Sequence, residues 1–250
     1  MNENSIEIIG GIKTHFSQEH LTKLDQEYSI RITDVLHKIS SDGKSRILDA
    51  GCGKRSILSF FSGIEDFFIV GCDIIRDIKY SSFNYDELAL ASIENLPFKE
   101  NSFNLVIATF VIEHLANPYN AFTEIFYTMK PGGFFVFITP NLLNYTIQIA
   151  NITKKTSFIH KSLRYMVLGK TRYYDNPPVY YKCNLSYKLE KALTDTGYHK
   201  IELGYVGNAS FYFKHIPVLY AISQIGDRIT DRIGRNLKAV LLGVFQKPTS

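Results

Sequence analysis

Two acidic residues and two glycines are spaced like the contacts of a nucleotide-like ligand. Asp49, Gly51 and Gly53 end a short apolar run in the stretch RILDAGCG, and Asp73 ends a second apolar run 20 residues after Gly53. Glycines in such a turn let the backbone approach a ligand, and an acid after the second strand can accept both hydroxyl hydrogens of a ribose. A carboxylate at position 49 would repel a pyrophosphate, so the pattern favours a ligand with a cationic or amine group.

The segments around these residues alternate between strand and helix patterns. Strands are predicted at RILDA, FFIVGCDI, LVIAT, FFVFITPN, YHKIELGYV and NLKAVLLGVFQK. Helices are predicted over residues 19–39, from SILSFF, after LVIAT, over AFTEIFYTMKPGG with a stop at its proline and glycines, and over SYKLEKALTDTG. Such alternation predicts a parallel sheet with right-handed crossovers, in which ligands bind beyond the carboxyl ends of the strands.

Composition narrows the class of protein. A chain of 250 residues with 45% hydrophobic content can bury a full core, and we expect one elaborated domain. The three cysteines, Cys52, Cys72 and Cys183, cannot all pair internally and lack metal-ligand spacing, so we expect free thiols, a reducing compartment and no metal site. The sequence shows neither a secretory signal pattern nor an apolar stretch of about 18 residues. A cytoplasmic protein is expected.

Four motifs in order resemble those of a known family. LDAGCG, VGCDI, SIENLPFKENSFNLVIATFVIEHL and MKPGGFFVFITPN are similar to motifs of the class I S-adenosylmethionine-dependent methyltransferases of the small-molecule, type 11-like group. The similarity covers about residues 45–145. It implies an α/β Rossmann-like fold with a seven-stranded, mainly parallel sheet whose last strand is antiparallel, carrying a helical cap.

The resemblance also implies which residues contact the cofactor, S-adenosylmethionine. The acid and glycines of the first motif would surround its methionine part, the acid after the second strand would bind ribose, and the segment before LPF would contact adenine. The expected cofactor contacts are Asp49, Gly51, Gly53, Asp73, Ile74, Ser92, Ile93, Glu94 and Thr109. His114 is a candidate catalytic residue, although a polar residue after a strand also serves for capping or solubility. The sequence identifies no catalytic base.

Two departures from the family pattern keep other functions open. Arg55 stands where a third glycine is usual, and Ser92 and Ile93 stand where the family usually has Asp-Ala. These departures are the features that favour a non-catalytic binding protein on the same fold. A nicotinamide-dependent oxidoreductase is the other alternative, and the absence of GxGxxG together with Asp49 disfavours it.

The positive charge of the chain is concentrated in two insertions. Residues 142–182 hold seven Lys or Arg against one Asp, and residues 209–238 hold five against two Asp. Their net charges are +6 and +3, so with +4 overall the rest of the chain carries −5. Insertions at the carboxyl edge of a parallel sheet commonly form the acceptor pocket, so this charge suggests an anionic acceptor.

One segment of the second insertion has the pattern of an amphipathic helix. Its apolar positions are Ile222, Ile225, Ile229 and Ile233, with Arg228, Arg232 and Arg235 nearby. The pattern fits a helix packed on the domain or a helix lying on an anionic membrane surface, and packing is the favoured expectation.

Together these observations predict a single methyltransferase domain over residues 1–250. We expect an N-terminal helical segment over 1–44, a cofactor-binding core over 45–145, and cap insertions at 142–182 and 209–238. The predicted activity is methyl transfer to a small-molecule, glycan or lipid-linked acceptor that can carry phosphate. We expect no nucleic-acid partner, and peripheral contact with an anionic membrane is a further expectation.

Overall fold

A computed structural model describes residues 5–7, 13–15, 23–39, 45–54, 56–75, 83–153, 178–213 and 217–249. Within these ranges the helices are α1 (Lys23–Ile39), α2 (Pro118–Thr128), α3 (Tyr145–Thr153), α4 (Ser186–Thr196) and α5 (Pro217–Ile233). The strands are β1 (Ser5–Glu7), β2 (Lys13–His15), β3 (Arg46–Ala50), β4 (Phe61–Ser62), β5 (Phe68–Asp73), β6 (Glu87–Leu90), β7 (Phe103–Thr109), β8 (Met129–Pro140), β9 (His199–Val206) and β10 (Val240–Gln246).

Seven strands form one mixed sheet in the order β6-β5-β3-β7-β8-β10-β9. Neighbouring pairs from β6 through to β8 are parallel, whereas β10 runs antiparallel to both β8 and β9. The predicted fold class, with its antiparallel last strand, is therefore confirmed. The chain order reverses between β3 and β7, and this switch point opens a crevice at the carboxyl edge where ligands of such sheets bind.

The sheet is buried on both faces. In β3, Ile47 belongs to a core cluster that includes Tyr28, Ile32 and Leu36 of α1, and Leu48 belongs to the cluster on the opposite face. This alternation follows from the two-residue repeat of a strand. The second cluster includes Phe122 and Ile125 of α2 with Leu189 and Leu193 of α4, among other side chains. Helices therefore cover both faces and hold the strand ends in place.

Local signals explain where helices begin and end. Asn117 caps α2 by accepting a hydrogen bond from Asn120 N (3.4 Å), and Pro118 occupies the first turn, where its missing N–H costs nothing. Gly197 ends α4 in the left-handed conformation at φ +107°, as glycine does at many helix ends.

Four predicted elements differ from the observed ones. The helix expected directly after LVIAT is only a 3₁₀ turn, Ile112–His114, because Pro118 begins the next helix a few residues later. SILSFF does not begin an α-helix: residues Ile57–Phe60 form a 3₁₀ turn, and β4 follows at once. Helix α2 ends at Thr128, before MKPGG, and those residues already belong to β8. The N-terminal segment is not wholly helical, since β1 and β2 pair there in an antiparallel sheet with β4. β2 pairs with β4, and β8 pairs with β7 and β10, so partners outside the local sequence stabilise strand structure at these places.

The two insertions contribute α3 and α5 to the predicted helical cap. Tyr145 at the start of α3 donates a hydrogen bond from its hydroxyl to Ser223 O of α5 (3.1 Å). Residues 154–177, which carry Lys161, Arg164 and Arg172, lie outside the described residues, as does Arg55. Among the described helices, none has the length and hydropathy needed to cross a bilayer.

The expected packing of the isoleucine face of α5 against the domain is wrong. Ile222, Ile225, Ile229 and Ile233 are between 51% and 69% exposed. The side of α5 that packs inward is polar, because Asp227 binds backbone amides of the preceding loop and fixes the rotation of the helix.

Candidate active site

A cavity of about 420 Å³ lies at the carboxyl edge of the sheet, next to the switch point. Its walls come from the segments that follow β3, β5, β6 and β7, and residues 178–180 close one side. The described residues that line it are Gly51, Gly53, Asp73, Ile74, Ile75, Ala91, Ser92, Ile93, Glu94, Phe110, Val111, His114, Leu115, Ala116, Pro178 and Tyr180. Eight of the ten residues predicted from the sequence as site residues are in this lining; Asp49 and Thr109 are not.

The turn after β3 has a shape that only glycine adopts without strain. Gly51 and Gly53 have φ values of +77° and +52°. The backbone N–H groups of Gly51 and Cys52 both donate to Cys72 O, at 2.7 and 3.1 Å, which holds the turn against the end of β5. A Cβ atom at Gly51 would lie 2.4 Å from a methyl group of Val111. Gly51 is therefore needed for close packing against Val111 as well as for its backbone conformation.

Asp73 presents a backbone-anchored carboxylate to the cavity. Its Oδ2 accepts a hydrogen bond from Gly53 N (2.8 Å), and its Oδ1 accepts one from Ile75 N (3.0 Å). The residue is only 8% exposed, so its side chain has little freedom to move. Each carboxylate oxygen has a second lone pair for a ligand hydroxyl. Asp73 is thus preorganised as an acceptor at the floor of the cavity.

Asp49 lies behind the turn rather than in the cavity lining. It is 2% exposed, and its Oδ2 accepts hydrogen bonds from Ser56 Oγ (2.5 Å) and from the hydroxyl of Tyr85 (2.7 Å). Burial raises the pKa of Asp49, and these two donors oppose the rise. Neither Ser56 nor Tyr85 is among the site residues predicted from the sequence, and no spacing rule joins Tyr85 to an acid 36 residues earlier.

The loop after β6 contributes three of the predicted residues. Ser92 Oγ accepts a hydrogen bond from Glu94 N (3.1 Å), which stabilises the turn. Glu94 Oε1 accepts hydrogen bonds from Ala116 N (2.6 Å) and Asn117 N (3.0 Å), at the start of α2. The Glu94 carboxylate therefore joins two walls of the cavity.

Thr109, at the end of β7, binds another part of the chain. Its Oγ1 is 3.1 Å from the hydroxyl of Tyr28 in α1, with which it shares a hydrogen bond. The next residue, Phe110, lines the cavity with a positive φ of +56°, unusual for a bulky residue. Its N–H donates to Ile138 O (3.0 Å), which holds this conformation.

A buried carboxyl group supports the opposite wall. Glu113 is 5% exposed, and burial raises its pKa to about 8, although a hydrogen bond from Thr139 Oγ1 (3.1 Å) opposes this. Asn184 Nδ2 in turn donates to Thr139 Oγ1 (2.7 Å). Glu113 O accepts hydrogen bonds from Tyr180 N and Tyr181 N, at 2.8 and 3.2 Å. Glu113 thereby fixes the segment that closes the cavity.

His114 lies in the lining with its ring directed at neighbouring groups. Nδ1 is 2.9 Å from Pro178 O, and since a carbonyl oxygen only accepts, Nδ1 carries the proton of that hydrogen bond. Nε2 is 4.0 Å from Glu113 Oε1. The ring therefore ties the closing segment to the end of β7. The cavity brings His114 together with seven of the nine predicted cofactor residues.

The described residues contain no cluster of His, Cys, Asp or Glu suited to a metal ion. Cys52, Cys72 and Cys183 are buried and unpaired. Burial raises the pKa of Cys72 to about 12, so its thiol stays neutral near pH 7.

The cavity fits an S-adenosylmethionine-sized ligand better than a dinucleotide. Its volume lies within the range of about 300–1,000 Å³ usual for small-molecule sites. The described lining contains the carboxylates of Asp73 and Glu94 but neither Lys nor Arg to neutralise a pyrophosphate. Carboxylates are compatible with a ligand that bears a sulfonium and an amine.

Comparison with known proteins identifies the central region. Residues 48–137 match the family described as "Methyltransferase domain". A tRNA (carboxymethyluridine(34)-5-O)-methyltransferase of Arabidopsis thaliana is 32% identical over 131 residues, which are 51% of this chain and 30% of that protein. The human mitochondrial arginine-hydroxylase NDUFAF5 is 32% identical over 127 residues, which are 48% of this chain and 36% of that protein. The chain therefore spans only about a third of the length of these two relatives.

A solved structure has the same fold over most of the chain. It is phosphoethanolamine N-methyltransferase 2 of Haemonchus contortus in complex with S-adenosyl-L-methionine. The match has a TM-score of 0.54 at 16% identity and covers 88% of this chain and 53% of the other. The strand order and the position of the cavity are consistent with this fold, and the family match identifies residues 48–137 as a methyltransferase domain.

Proposed function

We propose that the cavity binds S-adenosylmethionine and that the protein transfers its methyl group to an anionic acceptor. The observation that carries this proposal is Asp73, which lines the cavity at the end of β5 and is held by two backbone N–H groups. A carboxylate at this place suits the two hydroxyls of a ribose. The donor supplies a methyl group already activated by a sulfonium centre.

Each wall of the cavity has a separate role in this proposal. The turn at Gly51 and Gly53 would hold the methionine part, and the loop at Ser92, Ile93 and Glu94 would hold adenine. Ile74, 59% exposed beside Asp73, offers an apolar surface to the ligand. Asp49 would act through the turn, since Ser56 and Tyr85 occupy its Oδ2.

The acceptor would enter beside the segment 178–180. Tyr180 and His114 line that side of the cavity, and Tyr180 is 46% exposed. His114 remains our candidate for contact with the acceptor. Because both ring nitrogens are directed at protein groups, we expect the site mainly to align an acceptor that is already nucleophilic.

A phosphate-bearing small molecule, glycan or lipid-linked compound is the acceptor class we favour. The support is the positive charge of the two insertions. Within the part of these insertions that the structure describes, the side chains of Arg228, Arg232 and Arg235 are exposed to solvent. The Arabidopsis relative is named for a tRNA substrate, so tRNA is the alternative acceptor. The three buried free cysteines support a reducing compartment, for which we propose the cytoplasm.

Calorimetry tests the cofactor assignment directly. The protein should bind S-adenosylmethionine and its demethylated product, and it should bind nicotinamide dinucleotides weakly or not at all. Asp73→Asn should weaken binding by about 1.5–3 kcal/mol, because the amide replaces a charged acceptor. Asp66→Asn, at an exposed position, is the matched control. If Asp73→Asn binds S-adenosylmethionine as tightly as the wild type does, Asp73 does not contact the cofactor.

A second experiment identifies the chemistry. Metabolite extracts and tRNA are incubated separately with the protein and S-adenosylmethionine, and products are searched by mass. A product heavier by one CH₂ group supports methyl transfer. A product heavier by one oxygen atom would instead indicate hydroxylation, the activity for which the human relative is named.

A further inference from the structure

Helix α5 exposes its apolar face and buries its polar one. Five aliphatic side chains lie on successive turns of the outer face, and each is at least half exposed. They are Val218 (70%), Ile222 (59%), Ile225 (59%), Ile229 (51%) and Ile233 (69%), and we call them the aliphatic stripe. An amphipathic helix of a globular domain normally turns such a stripe towards the core.

Polar contacts fix this orientation. Asp227 is 4% exposed, and its two carboxylate oxygens accept hydrogen bonds from Ala209 N (2.8 Å) and Ser210 N (3.0 Å). Ser223 is 3% exposed, and its carbonyl accepts the hydrogen bond from Tyr145. Rotating the stripe inward would break these bonds and leave the N–H groups of Ala209 and Ser210 without their acceptor, which is costly if they stay buried. The stripe therefore faces outward as a property of the fold.

Positive charge borders the stripe. Arg228 and Arg232 lie along one edge of α5, and Arg235 follows its end; all three are exposed and form no ion pair with the described residues. The acids of this region are already engaged, since Asp231 pairs with Lys238 (3.3 Å) and Asp227 is buried. An apolar stripe beside exposed arginines is complementary to apolar acyl chains beneath anionic headgroups.

The chain directly after α5 is anchored at the carboxyl edge of the sheet, the edge at which the cavity lies. Asn141 and Asn144, directly after β8, donate hydrogen bonds to the carbonyls of residues 236–238, which follow α5. β8 is parallel to β7, so both strands end at the carboxyl edge of the sheet. A surface bound to α5 would therefore lie on the side from which an acceptor enters.

We propose that α5 docks the protein on the surface of an anionic lipid bilayer, with the aliphatic stripe in the interface and the arginines against the headgroups. A second copy of the chain fits less well, because five side chains on one helix fall well short of the roughly 20–30 residues per side of a stable protein interface. The proposal concerns binding alone, so its test is separate from that of methyl transfer.

Vesicle flotation tests the proposal on the whole chain, without substrate or cofactor. The protein should float with vesicles of equal parts phosphatidylcholine and phosphatidylglycerol, and much less with phosphatidylcholine alone. Replacing Ile225 and Ile229 together by Ser should weaken partitioning roughly tenfold or more, because apolar burial is lost. Replacing Arg228 and Arg232 by Gln should weaken it about fivefold for each arginine, and this effect should shrink at high salt.

The control variant is Ile201→Ser, which removes an exposed isoleucine (46%) from the edge strand β9. It should partition like the wild type, and urea unfolding should show that every variant folds. Equal flotation with neutral and anionic vesicles, or wild-type flotation of the Ile225/Ile229 variant, would overturn the proposal. A dimer in sedimentation that this variant dissociates, with no flotation, would assign the stripe to a second copy instead.

Discussion

The stability of the protein should fall as pH rises, because Glu113 is buried with its proton. Burial raises the pKa of Glu113 from an ordinary 4.5 to about 8 in the folded chain. Between these values the unfolded chain releases a proton that the folded chain keeps. The stabilising contribution is therefore complete below about pH 4.5 and is lost as pH rises through about 8.

The size of the effect follows from the interval between the two pKa values. One pKa unit corresponds to about 1.4 kcal/mol, so the interval from 4.5 to about 8 amounts to about 5 kcal/mol of unfolding free energy. About half of this loss should fall between about pH 5 and about pH 7. The magnitude is comparable with the total stability of many domains, so the change is measurable.

Urea unfolding of the wild type and Glu113→Gln across this pH range isolates the contribution. Circular dichroism is a suitable probe, since the chain has no Trp. Glutamine is uncharged and has nearly the same shape as glutamate. As pH rises, the unfolding free energy of Glu113→Gln should therefore increase relative to that of the wild type. Asp49, whose pKa is also raised by burial, titrates in both proteins and cancels in the difference.

Glu65→Gln, at an exposed position, serves as the control and should follow the wild type. If the free energies of wild type and Glu113→Gln keep a constant separation from about pH 5 to about pH 8, Glu113 is not a buried, protonated acid in the folded chain.

Two glycine substitutions give further predictions. Gly51→Val should abolish S-adenosylmethionine binding in calorimetry and lower the unfolding midpoint, because its Cβ would lie 2.4 Å from Val111 at a φ of +77°; a variant that binds normally would contradict the site. Gly243→Ala should lower the unfolding free energy by about 1–3 kcal/mol or more, because its Cβ would lie 2.1 Å from the buried ring of Phe137. Gly204→Ala, whose Cβ has its nearest neighbour at 3.7 Å, should cost far less, and equal losses would argue against this packing.

The sequence alone was sufficient to predict the sheet and the edge at which the cavity lies. Strand runs, the glycine turn after β3 and the acid after β5 are local features, and each constrains the backbone within a few residues. The parallel order then places the turn and Asp73 at one edge, which the structure confirms by their 2.8 Å hydrogen bond. Two of the failures, at SILSFF and at MKPGG, occur where strand pairing overrides local helix signals.

The tertiary structure decided the surroundings of the buried polar groups. Tyr85 reaches Asp49 across 36 residues, and Tyr28 reaches Thr109 across 81, so no spacing in the sequence relates them. The same reason explains the orientation of α5. The helical spacing of its apolar residues predicted burial of the isoleucines. The rotation of α5 is set instead by the hydrogen bonds that Asp227 accepts from the preceding loop. Which face of an element is buried depends on the partners that its polar groups find, and these are brought together only by the fold.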